Sequence, residues 1–317
     1  MKQTLWVMSD THDDTDAVQK AVSFALDEGK ENGRIVHAGD LSLRPYLPEH
    51  LGKLDGTNVT SIQKFIQSSK DHNEEILKDY KKIFDDSKLP YAVIPGNYDN
   101  DLEEIFAGNN LHNKSTNFAG AKVIGYGGAG DNGGEWVGQP HIELLYKLKK
   151  IVPFIVKDLE SLLIKEKPAI AVIHNPPHRL CDDMHDGRNV GTRVTTRYIA
   201  ENPGLKLVIS GHVHEAGPNG NNPNNVKGVK CYQDADRKIR TAVINPGNLG
   251  RFELVNPKNL ETAKYQDGKL MRFDYGTFCR VDIEDDGTPI LLKQYSLKLN
   301  DWKIGDVKKI EEYDLTP

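Results

Sequence analysis

The stretch Val93-Ile94-Pro95-Gly96-Asn97-Tyr98-Asp99-Asn100 decides how the chain is read. It starts as an unalternating apolar run, the pattern of a strand buried on both faces, and breaks at Pro95-Gly96. An amide, a phenol and a carboxylate then stand side by side at the strand's end. In open α/β sheets the loops leaving the carboxyl ends of strands converge on one crevice, so polar groups gathered there are placed to meet a ligand.

The same pattern recurs along the chain. Residues 5–8, 34–37, 169–173 and 205–209 are short apolar runs that end abruptly in Gly, Asp, His or Asn, and each predicts a buried strand. Residues 15–28 carry apolar side chains at helical spacing after a capping Thr15 or Asp14, and 142–165 repeat that spacing across Pro153. The alternation predicts an α/β fold on a mixed or parallel sheet. Residues 43–90 are charged and helical in pattern, and read as an insertion or a lid. Residues 216–240 begin with a run dense in Gly, Pro and Asn, and are expected to form an exposed loop. Strands are expected again at 241–244, 277–283 and 290–295, the last two joined as a hairpin through Glu284-Asp285-Asp286-Gly287-Thr288-Pro289. With no linker in view, residues 1–317 read as a single domain.

Composition narrows the class. The 317 residues carry a formal net charge of −5, so a phosphate backbone is repelled at long range and nucleic acid is disfavoured as a partner. Cys181, Cys231 and Cys279 are odd in number, far apart and outside any CxxC spacing, which argues against a disulfide framework and a zinc knuckle and suits a reducing cytoplasm. The apolar run before Ser9 and Asp10 is too short for a signal-peptide core or a membrane span, so no membrane association is expected.

Strand ends alone yield a consistent set: Asp10 and His12, Asp40, Asn97, His174, and His212 with His214. All seven are metal-ligand types. A mixture of oxygen and imidazole donors suits manganese, iron, nickel or zinc, whereas magnesium and calcium prefer oxygen alone. Two such cations about 3.5–4 Å apart can clamp a phosphoryl oxygen, and the pair needs a bridging carboxylate. Asp40, following a glycine that permits a tight turn, is the natural candidate.

Asp10-Thr11-His12, Gly39-Asp40, Gly96-Asn97-Tyr98-Asp99, His174 and Gly211-His212-Val213-His214 resemble, in order, the motifs of the calcineurin-like metallophosphoesterase family. The resemblance implies a four-layer α-β-β-α sandwich, with two mixed sheets flanked by helices. It implies that Asp10, His12, Asp40 and His214 hold one divalent metal ion, that Asp40, Asn97, His174 and His212 hold a second, and that Asp40 bridges. The implied reaction is hydrolysis of a small or medium phosphomonoester or phosphodiester by a hydroxide held between the two metals. The departure is Tyr98, where the family carries a histidine that assists the leaving group and is oriented by the following aspartate, here Asp99. A phenol with an ordinary pKa of about 10 stays protonated and can donate a hydrogen bond, but it is a weaker acid than imidazolium. Substrates with good leaving groups should suffer least.

Other polar residues have plainer readings. His37 reads as a packed strand-end histidine, His178 as a solvated loop residue, and Asp13 and Asp14 as the acidic start of the helix at Thr15. Arg188, Arg193 and Arg197 follow the His174 loop and could grip phosphate or simply lie on an exposed helix. Two further functions use the same residues. A nuclease of the same family would need a basic groove, and a non-catalytic protein-binding scaffold would be marked by lost ligands. The substrate, the native metals and the oligomeric state are not legible in the sequence.

Overall fold

Alternation inside the first strand sets the layers. In β1 (Gln3–Met8), Leu5 and Val7 face one way and Trp6 and Met8 the other, and all four are buried. Leu5 and Val7 join a cluster with Val36, Val172, Ile209 and Val281, while Trp6 and Met8 join one with Val18, Leu77 and Phe84. A strand buried on both faces must have a sheet on one side and helices on the other. The computed structural model describes residues 2–29, 33–42, 59–100, 102–129, 151–220, 227–253, 272–299 and 304–317, with single positions between 261 and 270.

The first sheet comprises β1, β2 (Gly33–His37), β3 (Tyr91–Val93), β12 (Tyr275–Ile283), β13 (Pro289–Leu299) and β14 (Ile304–Asp314), in the order β14-β13-β12-β1-β2-β3. β1 runs parallel to β2, with Val7 opposite Val36, and antiparallel to β12, with Val7 opposite Cys279. The second sheet comprises β4 (Lys114–Phe118), β5 (Ala121–Tyr126), β6 (Ile170–Ile173), β7 (Leu207–Ile209), β8 (Val229–Gln233) and β9 (Ile239–Ile244), in the order β4-β5-β6-β7-β9-β8. Helix α1 (Thr15–Glu28) and helix α2 (Val59–Ser87) cover the first sheet. A one-turn helix α3 (Leu102–Phe106) follows β3, and α4 (Val156–Glu166) and α5 (Arg193–Glu201) cover the second sheet. This is the expected four-layer sandwich of two mixed sheets flanked by helices.

Two expectations change. In α2 the buried positions Asn73, Leu77, Tyr80, Phe84 and Ser87 recur at steps of four and three, so one stripe of this helix is core. The segment read as a helical insertion or a lid is thus, over Val59–Ser87, a helix packed into the core, and 43–58 lie outside the described residues. Likewise 216–240 are not all loop. Val229–Gln233 pairs antiparallel with Ile239–Ile244, and Ala216 is buried. The run of asparagines had masked the short strand that follows it. Residues 142–150 also lie outside the described set, and the helix expected there is seen from Val156, beyond Pro153. Tyr80, Tyr91 and Tyr126 are buried.

Candidate metal centre

The loops at the ends of β1 and β2 are fused through their backbones. Asp10 N–H donates to the Gly39 carbonyl (2.9 Å) and Thr11 N–H to the Asp40 carbonyl (2.9 Å). To hold these contacts, Asp10, His12 and Asp40 adopt left-handed backbone angles (φ 52°, 48° and 55°), as does His212 (φ 65°). For a non-glycine residue that conformation costs on the order of 1–3 kcal/mol and persists only when its surroundings over-determine it. Gly39 lies at φ 103°, where a side chain would run into the His174 ring. Gly96 leaves no room for a Cβ against the Asp40 carboxylate.

These loops bring the candidates together in two overlapping trios, Asp10 with His12 and His214, and Asp10 with Asp40 and His174. Within each, one ligand atom per residue lies within 4.8 Å of the others. In the first, His12 Nε2 faces His214 Nε2 at 3.0 Å, and His214 Nε2 lies 3.2 Å from Asp10 Oδ1. Two imidazole nitrogens bound to one cation at about 2.1 Å, between right-angle and tetrahedral spacing, would stand about 3.0–3.4 Å apart, so the pair fits a shared ion. In the second, His174 Nε2 lies 3.5 Å from Asp40 Oδ2 and 3.2 Å from the Asn97 side-chain oxygen. His174 Nδ1 donates to the Ala38 carbonyl (2.7 Å), which fixes the tautomer and leaves the Nε2 lone pair facing the centre.

Asp10 is common to both trios, and Asp40, the bridge that the resemblance implies, belongs to the second. Asp40 is drawn toward the second trio, because its Oδ1 accepts the Asn97 N–H (2.7 Å) and its Oδ2 faces His174. His212 stands beside both trios, with its N–H on the Asp10 carboxylate (3.1 Å) and its ring centroid 5.4 Å from that of His174.

Electrostatics suit cation binding. Burial alone would raise the Asp10 carboxyl, but His214, His174 and His12 pull it below the usual carboxylate range. Burial and the neighbouring His214 lower His12 to about 4, which keeps the imidazole neutral and its lone pair available. Burial opposes a charge on His174, yet Asp40 and Asp10 raise it to about 9. That proton is the one a cation would displace.

Tyr98 is half-buried in the turn between Asn97 and Asp99. Asp99 is committed elsewhere. Its carboxylate accepts N–H groups from Leu41 (3.1 Å), Ser42 (2.8 Å) and Gly96 (2.8 Å), together with the Ser42 hydroxyl (3.0 Å). It ties the Asp40 loop to the Asn97 loop, and burial with the nearby Asp40 pushes it up to about 6.

Several site neighbours had no signal in the sequence. Phe252, on the ribbon of β10 (Phe252–Glu253) and β11 (Arg272–Phe273), lies 4.8 Å from the His12 ring and 4.5 Å, edge-on, from the His214 ring. Phe273 lies 5.6 Å from His214. The ribbon is anchored by Arg251, whose guanidinium grips Asp14 at 2.7 and 2.8 Å. Among the described residues, His12 Nδ1 is buried without a hydrogen-bond partner, as are both side-chain polar atoms of Asn175. His185 approaches Glu215, the residue after His214, at 3.3 Å. Among the plainer readings, His37 is buried between Thr11 and Gly39, Asp14 caps α1 through Ala17 N–H, Asp13 meets His72 at 3.0 Å, and His178 lies 3.6 Å from Asp182. Arg188 and Arg197 are paired to Asp186 and Glu160.

The model of the calcineurin-like phosphoesterase family matches residues 3–216, and the chain belongs to that family. This makes it a metal-dependent phosphoesterase, a hydrolase. Among solved structures it is similar to a dimetal phosphatase from Danio rerio, with 10% identity, 99% of this chain and 98% of that one covered, and a TM-score of 0.54. It is also similar to TT1561 of Thermus thermophilus, with 18% identity, 83% and 98% covered, and a TM-score of 0.43. At such identities the first likeness speaks for the fold alone. No curated protein matches the sequence. No helix among the described residues is long and apolar enough to cross a membrane.

Proposed function

We propose that the protein hydrolyses a small or medium phosphomonoester or phosphodiester with two divalent cations of the manganese, iron, nickel or zinc kind. The observation that carries this reading is the pair of overlapping carboxylate–imidazole trios, joined at Asp10 and flanked by Asn97 and His212. Bound cations would supply Lewis-acid neutralisation of phosphoryl charge and a water made acidic enough to attack at neutral pH. The chain supplies the positioning. Ala38 orients His174, Asn97 N–H orients Asp40, Asp99 holds the two loops in register, and Phe252 shields His12 and His214 from water. Tyr98 is assigned to the leaving group as a hydrogen-bond donor, which favours phenolic esters and anhydrides over alkyl esters. The three free cysteines, two of them buried, fit a reducing cytoplasm.

The test is a metal titration of the stripped protein with p-nitrophenyl phosphate and bis(p-nitrophenyl) phosphate. Manganese, nickel or zinc should restore turnover of at least one ester, and Tyr98→His should gain chiefly on alkyl esters. Tight metal binding without turnover of either ester would overturn the reading.

A further inference from the structure

Away from the metal centre, the loop after β6, the start of α5 and strand β8 line an open concavity of about 490 Å³, formed by His178, Arg179, Leu180, Arg193, Thr196 and Tyr232. It lies on the outer face of the second sheet. Tyr198 and Ile199 of α5 pack there on Val208 and Val243, while Leu207 and Ile209 face the layer between the sheets.

Of the described arginines, Arg188, Arg197, Arg251, Arg272 and Arg280 are paired at close range with Asp186, Glu160, Asp14, Asp274 and Asp282. Arg179 and Arg193 have no carboxylate partner among the described residues, and both line one concavity of a chain whose net charge is −5. Two exposed arginines on one concavity repel each other only weakly through water, and an anion placed between them would be attracted by both.

The walls are also preassembled. Thr196 Oγ1 donates to the His178 carbonyl (2.8 Å), His178 N–H to the Thr192 carbonyl (3.1 Å) and Thr192 N–H to the Pro176 carbonyl (2.8 Å). These bonds lock the loop that carries Arg179 to the first turn of the helix that carries Arg193. Lys230 Nζ donates to the Arg179 carbonyl (3.3 Å) and ties the loop to β8 as well. The backbone of both arms is therefore ordered before binding, and a ligand has only the exposed Arg179 and Arg193 side chains left to fix. Guanidinium groups match phosphate oxygens bidentately, and the Tyr232 ring, with Arg240 at 5.1 Å from its centroid, offers an aromatic wall beside them. The volume falls in the range of about 300–1,000 Å³ that holds small organic ligands and exceeds what a lone oxyanion needs.

We propose that this cavity binds a phosphate group through Arg179 and Arg193, at a site separate from the metal centre. The phosphate is either carried by a small molecule or free. The proposal stands whether or not the metal centre hydrolyses phosphoesters, and its test needs no turnover. The metal-stripped full chain is titrated calorimetrically at low ionic strength with ribose 5-phosphate, inorganic phosphate and ribose. Stripping leaves the carboxylates of the metal centre without cations to attract phosphate, so binding there does not interfere.

One site is expected for the phosphorylated probes and none for ribose. Arg179→Ala with Arg193→Ala should weaken binding at least about tenfold, since a hydrogen bond to a charged group contributes about 1.5–3 kcal/mol. Arg188→Ala with Arg197→Ala, which removes two already paired arginines, should leave it unchanged. Ribose 5-phosphate binding more tightly than inorganic phosphate assigns the site to a phosphorylated small molecule, and equal affinity assigns it to free phosphate. Failure of both probes to bind the wild type, or equal binding by the Arg179/Arg193 variant and the wild type, overturns the proposal.

Discussion

Around His174 and Asp40 the supporting contacts are polar and made largely by backbone, whereas around His12 and His214 they are aromatic. On the first side Ala38 fixes the His174 tautomer, Asn97 N–H fixes Asp40, and Asp99 gathers four donors from the two loops. On the second, His12 Nδ1 has no hydrogen-bond partner among the described residues and the two imidazoles pack against Phe252 and Phe273. A hydrogen-bonded shell sets the direction and basicity of a ligand. An apolar shell sets the dielectric and excludes water. The difference teaches that one centre can be preorganised in two ways, and that the two sides should answer differently to mutation.

The polar side should break hardest. Asp40→Ala removes a carboxylate from the second trio and the acceptor of Asn97 N–H, and metal-dependent turnover should fall by about 1,000-fold or more, as several kcal/mol of charge stabilisation are lost. Steady-state assays under saturating metal decide this, and a loss below tenfold would show that Asp10 alone carries the bridging charge.

Next in size is Asp99→Ala, which leaves the buried donors of Leu41, Ser42 and Gly96 unmatched. Urea unfolding of the metal-free protein should show about 3 kcal/mol of lost stability, from several unmade hydrogen bonds at roughly 1 kcal/mol each. If stability holds while activity on alkyl esters falls, Asp99 serves Tyr98 and not the loops.

The aromatic side should yield less. Phe252→Ala opens His12 and His214 to water and, under the two-cation reading proposed above, should weaken one metal-binding step by about tenfold while sparing the other. Competition with a chelator separates the steps, and equal weakening of both would erase the distinction between the two sides. Smallest is Arg251→Ala. It frees the ribbon from Asp14 and should reduce stability by at most about 1 kcal/mol, as is usual for a partly exposed ion pair, while shifting the same metal step slightly. Thermal melts with and without metal would register it.

How much of this was legible depends on the physics of each feature. The unbroken apolar run of Leu5, Trp6, Val7 and Met8 and the abrupt polar ends of β2, β3, β6 and β7 are local signals, so the strands and the polar residues at their ends could be read directly. The seven candidate ligands were found because they follow those ends. Phe252 was not, since a single aromatic in a polar stretch carries no period and its partners His12 and His214 lie far away in sequence. The task of Asp99 was hidden for a related reason. Sequence proximity to Tyr98 suggested one partner, and the donors that the loop after β2 brings from Leu41 and Ser42 carry no local signal.

Taken by itself, the sequence determined the strands that lead to the candidate centre, the α/β class and the donor types that follow those strands, because periodicity, turn residues and donor types are properties of neighbours along the chain. Only the tertiary structure decided that Asp10 belongs to both trios, that Asp99 clamps two loops, that α2 is core, and that Arg179 and Arg193 share a cavity. Each of these depends on distances between residues remote in sequence, and those are set by how the two sheets and their helices pack.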